Sequence, residues 1–355
     1  ILSYLMFNFI NLFKTACLSF VYCMLCVNVS AQTLNTVVEY MDFISTKQRE
    51  VTESHMSYTS AVAHGKSAKK VEKRRNELMT SSKEAIKSIK ALPSWKGDIA
   101  LRDSAVSFLN TTYHILNEDY AKIMDLEEVA EQSYDKMEAY IKIQEVASEK
   151  MDEAGKRLNE QEKVFAKNNN VNLISGKESE LDKKLQATNK ATKYQREVFL
   201  IFFKCNNQEH YLIEALNKKD LNALEQNRST LEKYANESLL KLAKIKPFNA
   251  DNSIVDACRK YLQFCLKEAK EQIPTVQDFY TKTDNFDKLA KAMQEKNKNR
   301  TQADVDAYNK SVKDMNAATT KYNASNELTN KARTETNNNW NNSVQKFFDK
   351  HIPKY

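Results

Sequence analysis

Leu92-Pro93-Ser94-Trp95 and, 153 positions further on, Ile245-Lys246-Pro247-Phe248 are the stretches that decide how this chain folds. In each, an apolar residue ends a run of helical spacing. A proline follows, which has no N–H to donate and clashes with the turn before it, so the helix stops. An aromatic comes one or two residues later, where it can plug the end of a bundle. The pair predicts one interhelical corner used twice.

Residues around the corners agree at the same offset. Tyr58 pairs with Tyr211, Arg75 with Arg228, Leu78 with Leu231, Glu84 with Glu237, Asp103 with Asp256 and Leu109 with Leu262. Apolar character alone is kept at Val71/Leu224, Ile86/Leu239, Ile89/Leu242 and Leu101/Ile254. Each unit reads as four helices, expected near 34–63, 67–92, 98–136 and 140–169, then 190–217, 220–245, 251–295 and 302–350. A single long helix through 127–154 is the alternative for the break that no Gly or Pro marks. In the first helix Val37, Met41, Ile44, Val51, His55, Tyr58 and Val62 form one apolar stripe at three- and four-residue steps. The expected layout is therefore a leader over 1–31, helical unit 1 over 32–174, a linker over 175–189 with Ser175-Gly176, and helical unit 2 over 190–355.

The units are unequal. Val164-Phe165-Ala166-Lys167 matches Phe347-Phe348-Asp349-Lys350 at an offset of 183, so unit 2 carries extra length in its last hairpin. The stripe Val276, Phe279, Thr283, Phe286, Ala290, Met293 faces Val305, Tyr308, Val312, Met315, Thr319, Tyr322. This predicts a projecting, coiled-coil-like hairpin over about 276–322 with a basic tip of Lys296, Lys298 and Arg300. Thr301, with Asp304 three residues on, is the N-cap of its second helix. The first helix of unit 2 contains Val198-Phe199-Leu200-Ile201-Phe202-Phe203, apolar all round. Such a helix is expected in the seam between units. The rival reading makes Phe199 and Phe203 part of a membrane-active or partner-binding patch.

Composition agrees with an all-α fold. Among 355 residues there are four glycines and four prolines, too few for sheets and tight hairpins. The first 31 residues carry Lys14 as their only charge, then the apolar run Ala16 to Val27, then Val29-Ser30-Ala31 before Gln32. That is a signal-peptide pattern, shorter than a membrane span of about 20 residues. Cys23 and Cys26 lack the small residues that lipid attachment needs. A retained N-terminal anchor is the alternative, and Met6 is the expected start. Removing the leader lowers the net charge from +7 by one. In an exported chain this surplus does not argue for nucleic acid; it permits acidic glycans, anionic lipid or an acidic protein.

Catalytic material is thin. His55, His64, His114, His210 and His351 fit neither H-E-x-x-H nor the Glu-x-x-His of di-metal bundles. His55 reads as a core histidine. The Glu118-Asp119 and Glu127-Glu128-Glu131 clusters lack EF-hand spacing and read as solvated faces. No phosphate loop, nucleophile elbow or triad signature is present, and the expectation is no enzyme, no cofactor and no metal. Past the leader three cysteines remain. Cys205 and Cys265 lie level if their helices run parallel, so they can bridge in an oxidising compartment. Otherwise Cys205, Cys258 and Cys265 are small buried hydrophobes. Trp340 sits among five asparagines (337–339, 341, 342), either a core residue or a sugar-stacking platform.

The Val29-Ser30-Ala31-Gln32 junction before a lysine-rich helical body, with Gln161-Glu162-Lys163-Val164-Phe165-Ala166-Lys167-Asn168 closing a unit, resembles a family of helical surface or periplasmic proteins. It belongs to Gram-negative bacteria of the Bacteroidota and Leptospira type and has no assigned activity. The resemblance implies fold and location but no site residues. The leading expectation is a non-catalytic interaction or structural protein of the cell envelope with a protein partner. The alternatives are a periplasmic chaperone or adaptor, a membrane-active bundle, and a binder of a metal or small ligand.

Overall fold

In the computed structural model, residues 34–115, 117, 132–173 and 179–355 are described. The leader, both acidic clusters and Ser175-Gly176 lie outside them. The chain is all-α; among the described residues there is no strand, only two isolated bridges. The helices are α1 (Val37–Ala63), α2 (Ala68–Lys90), α3 (Ala100–His114), α4 (Tyr134–Asn168), α5 (Glu180–Lys218), α6 (Leu221–Leu242), α7 (Ser253–Lys267), α8 (Ile273–Lys296) and α9 (Gln302–His351). A π-turn, Glu268–Gln272, joins α7 to α8. Helix α5 starts at Glu180, inside the expected linker, because Ser179 caps it by accepting from the Asp182 N–H. Helix α4 starts at Tyr134 on a Ser133 cap, so the break lies at 132–133 and not at the expected 137–139, which are helical, and a single helix through 127–154 is not formed. Among the described residues no helix is long and apolar enough to cross a membrane.

The two corners have one construction. Trp95 and Asp98 exchange backbone hydrogen bonds, as do Phe248 and Asp251. Between them Lys96 and Gly97, and correspondingly Asn249 and Ala250, take positive φ. The Asp98 carboxylate accepts from the Ala100 N–H and the Asp251 carboxylate from the Ser253 N–H, both at 2.8 Å, which starts α3 and α7. Behind each corner is an aromatic trio. Tyr40 lies 5.5 Å from Trp95 and 5.7 Å from Phe165. Tyr194 lies 5.2 Å from Phe248 and 5.7 Å from Phe347. Tyr40 Oη donates to the Pro93 carbonyl and Tyr194 Oη to that of Lys246.

These trios correct two alignments. Phe347, not Phe348, takes the place of Phe165, so the last helices correspond at an offset of 182. In the first helices the offset is 154. Tyr58 is buried and so is Leu212, whereas Tyr211 is exposed and its hydroxyl donates to the Gln132 carbonyl. The turns explain this. Helix α5 runs to Lys218 and reverses at left-handed Lys219, whereas α1 stops at Ala63 and uses His64 to Ser67.

One core lies among α1 to α4, around Tyr40, Ile44, Leu78, Ile89, Leu109 and Phe165. A larger one lies among α5 to α9, around Val198, Phe202, Leu231, Tyr261, Leu262 and Trp340. A third, smaller cluster joins the halves: Met137 and Ile141 of α4 pack on Phe203 of α5, with Phe199 and Leu200 against them. Residues 34–355 form one contact unit. The apolar run Val198 to Phe203 thus has no exposed member. Phe202 is stacked on Trp340, with centroids 4.3 Å apart and planes within 7°, so Trp340 is core and that face of its ring is not open to a sugar.

Helices α8 and α9 form the long hairpin. Phe279 stacks on Tyr322 at 4.5 Å and Phe286 packs on Tyr308 at 5.7 Å. From Gln277 to Ala317 no residue is buried. Tyr280 still reaches the body through the Leu216 carbonyl, so the free part begins beyond it. Sixteen further residues of α8 extend roughly 24 Å at 1.5 Å per residue.

Candidate functional site

The arm tip was the expected working surface, and its cations are largely engaged in closing the hairpin. Lys296 pairs with Asp304. Arg300 Nε donates to the Met293 carbonyl at 2.7 Å, satisfying an orphan acceptor at the end of α8. Thr301 and Asp304 make the reciprocal capping box. Lys298 is exposed.

The densest chemistry lies at the root of the arm, where the sequence raised no candidate. Glu209 of α5, Glu268 of the π-turn and Arg333 of α9 meet inside the larger half. Arg333 Nε donates to Glu209 Oε1 at 2.6 Å and its Nη2 pairs with Glu268 Oε1. Tyr261 Oη donates to Glu209 Oε2, and Asn206 Nδ2 donates to Tyr261 Oη at 3.1 Å. Both carboxylates are buried, Glu268 at 2% exposure. Burial, then the Glu209 charge, push the Glu268 carboxyl up to about 8. Arg333 is lowered by burial, but Glu268 and Glu209 outweigh this and hold it above the usual guanidinium range. Burial, then the neighbouring Cys265 and Glu209, raise Tyr261 well above the phenol range. Glu268 Oε2 and both polar atoms of Gln272, four residues on, are buried without a partner.

The helix is distorted here for a local reason. Pro274 cannot donate to the ladder and would clash with the turn before it, and the π-turn immediately ahead relieves both. Widening that turn places Glu268 and Gln272 on the buried side.

The cysteines line the same interior as free, buried thiols. Cys205 Sγ faces Ser238 Oγ at 3.7 Å, so the Cys205–Cys265 bridge is not formed. Burial pushes Cys205 up to about 12 and raises Cys258 and Cys265 further, which keeps all three as inert thiols.

The histidines are scattered. His55 is lowered to about 4 by burial alone. His64 Nδ1 lies 2.6 Å from Asp349 and His351 Nε2 2.9 Å from Asp251, both fastening the end of α9. His114 lines an open groove of about 540 Å³ with Asp103 and Lys150. Among the described residues no group of three or more His, Cys, Asp or Glu is arranged to hold a metal ion.

Comparison with protein-family models, with curated proteins and with solved structures finds no match for this chain.

Proposed function

We propose that the chain is an exported, internally duplicated helical protein of the cell envelope, a non-catalytic interaction or structural element that works through its hairpin arm. The duplication is supported by the corners, where bridge, positive-φ pair, carboxylate cap and aromatic trio recur together. Export is supported by the leader pattern of residues 1–31.

The observation that carries the interaction reading is the arm. Beyond Tyr280, the stretch from Thr281 to Ala317 has no buried member and no side chain packed on the larger core, so stability of the body does not explain it. Its ion pairs are mostly local, Lys282 with Asp278 and Lys288 with Asp284. Its apolar side chains are spent on each other, so a partner would meet polar, charged helix faces. This favours a protein partner over a membrane. Phe199 and Phe203, the candidate insertion element, are engaged with α4.

The test is a deletion of residues 282–317, with α8 and α9 rejoined by a short turn, compared with the full chain in cross-linking from envelope extract. Circular dichroism and a thermal melt establish that the body is intact. Loss of a specific cross-linked partner supports the arm. A partner retained in full overturns it and leaves the body as the binding surface.

A further inference from the structure

Both arm helices are rooted at one point. Glu268 precedes Phe279 by eleven residues and Arg333 follows Tyr322 by eleven, and each pair is in contact across the hairpin. The ion pair therefore lies about three helical turns below the stacked rings. Glu209 ties the same guanidinium to α5. Helix α5, the π-turn that leads into α8, and α9 are thus joined through one side chain.

The charges there do not balance. Facing Glu268 are Glu209 from α5, Cys265 from α7 and Arg333 from α9, while Tyr261 of α7 faces Glu209. From α6 comes Glu232, already 3.6 Å from Lys270 on the outer side of the π-turn. The first ionisable group of α8, Asp278, is bonded to Lys282. Two carboxylates thus share one guanidinium, leaving one excess negative charge in the interior. Glu268 Oε2 is bare, and Gln272 beside it has neither of its polar atoms bonded, at 3% exposure. A buried carboxylate in that position is costly unless it takes a proton or water reaches it.

We infer that Glu209, Glu268 and Arg333 form a proton-operated latch at the root of the arm. With a proton on Glu268 the cluster is neutral and the arm is held to α5. When that proton leaves to solvent, the excess charge draws water in at the π-turn, where Glu271 and Lys270 already face solvent, and the root loosens. The raised carboxyl puts the transition in the mildly alkaline range. The latch takes its use from the arm reading, but it is tested on the free protein and can fail without touching that reading.

The experiment is hydrogen exchange of the full chain on either side of the transition, at about pH 6 and about pH 9.5, corrected for intrinsic exchange. Amides of residues 268–276 are expected to exchange about tenfold faster at the higher pH, and E268Q to keep the slow rate at both. Infrared difference spectra of the unmodified protein are expected to show a buried carboxylic-acid band below the transition that vanishes above it. Unchanged exchange, the same change in E268Q, or no acid band each overturns the latch. The infrared reading decides alone if E268Q does not fold.

Discussion

At one level of the molecule the two halves share a frame and fill it oppositely. On the offsets set by the corners, Glu209 stands where the first half has His55, Tyr261 where it has Phe108, Glu268 where it has Ile115 and Arg333 where it has Met151. The first half has apolar side chains at three of these positions and, at the fourth, a histidine whose charged form is suppressed by burial. The second closes it with a charged network. Replacing a buried charged set by well-packed apolar residues of similar volume is often neutral or stabilising, so stability alone does not call for the charges. The half that carries them is also the half that carries the arm. The lesson is that the network goes with the arm's root and not with the corner construction that both halves share.

The largest effect should come from giving the second half the first half's residue. Arg333→Met leaves the buried Glu209 carboxylate and the Glu268 carboxyl without their cation, and breaking a buried pair in this way costs about 3–5 kcal/mol. Chemical denaturation of the full chain measures it. Changing Glu209 and Glu268 to Met in the same chain should recover much of the loss, because replacing all charged members of such a set by apolar residues of similar volume is often neutral. A cost below about 1 kcal/mol for Arg333→Met would show the network to be ornamental and the comparison empty.

A smaller effect follows from pH. Glu268 has its folded value raised from 4.5 to about 8, so the folded chain holds this proton more tightly than the unfolded chain does. Stability from this group is complete below the unfolded value, is lost as pH rises from about 4.5 to about 8, and is flat above. The loss is of the order of a few kcal/mol at about 1.4 kcal/mol per unit, reduced by coupling to Glu209. Denaturation midpoints across that window check it. Glu268→Gln should remove most of the slope, and an equal slope in that variant would place its origin elsewhere. His55 in the first half acts with the opposite sign: its value, lowered to about 4, makes stability rise with pH up to about 6.5, so the Glu268 loss is read between about 6.5 and about 8.

Much of the frame was legible because it is written in local rules. Proline followed by an aromatic marked both corners, three- and four-step stripes marked α1 and the two arm helices, and Thr301 with Asp304 marked the start of α9. The expected 251–295 helix was correct in extent and wrong in one respect, since a π-turn interrupts it. Pro274 inside a helical run was the available signal. Glu209 also left a trace: it continues the heptad-like stripe Val198, Phe202, Cys205, Leu212. A charged residue on a buried stripe announces a partner without saying which one. The partner, Arg333, lies 124 residues away in a helix whose Thr- and Asn-rich stretch has a weak stripe. Pairing across that separation is fixed by the fold and has no local mark. The first-helix alignment slipped by one residue for the same kind of reason, since turn geometry at Lys219 is set in three dimensions.

The finest distinction concerns where stability is held. Thr36 and Thr301 both make reciprocal capping boxes, with Glu39 and Asp304. Each cap is worth about 1 kcal/mol to the turn it closes. Thr36 opens α1, whose Tyr40 and Ile44 are core residues one and two turns on, so Thr36→Ala should lower the global unfolding free energy by about that amount. Thr301 opens α9 at the arm tip, where no residue is buried for several turns. Thr301→Ala should fray the tip, speed exchange of amides 302–306 by roughly fivefold, and leave the global transition where it was. A global loss from Thr301→Ala equal to that from Thr36→Ala would mean that arm and body unfold as one cooperative unit. The arm would then be part of the frame, and the contrast between the halves would have to be sought elsewhere.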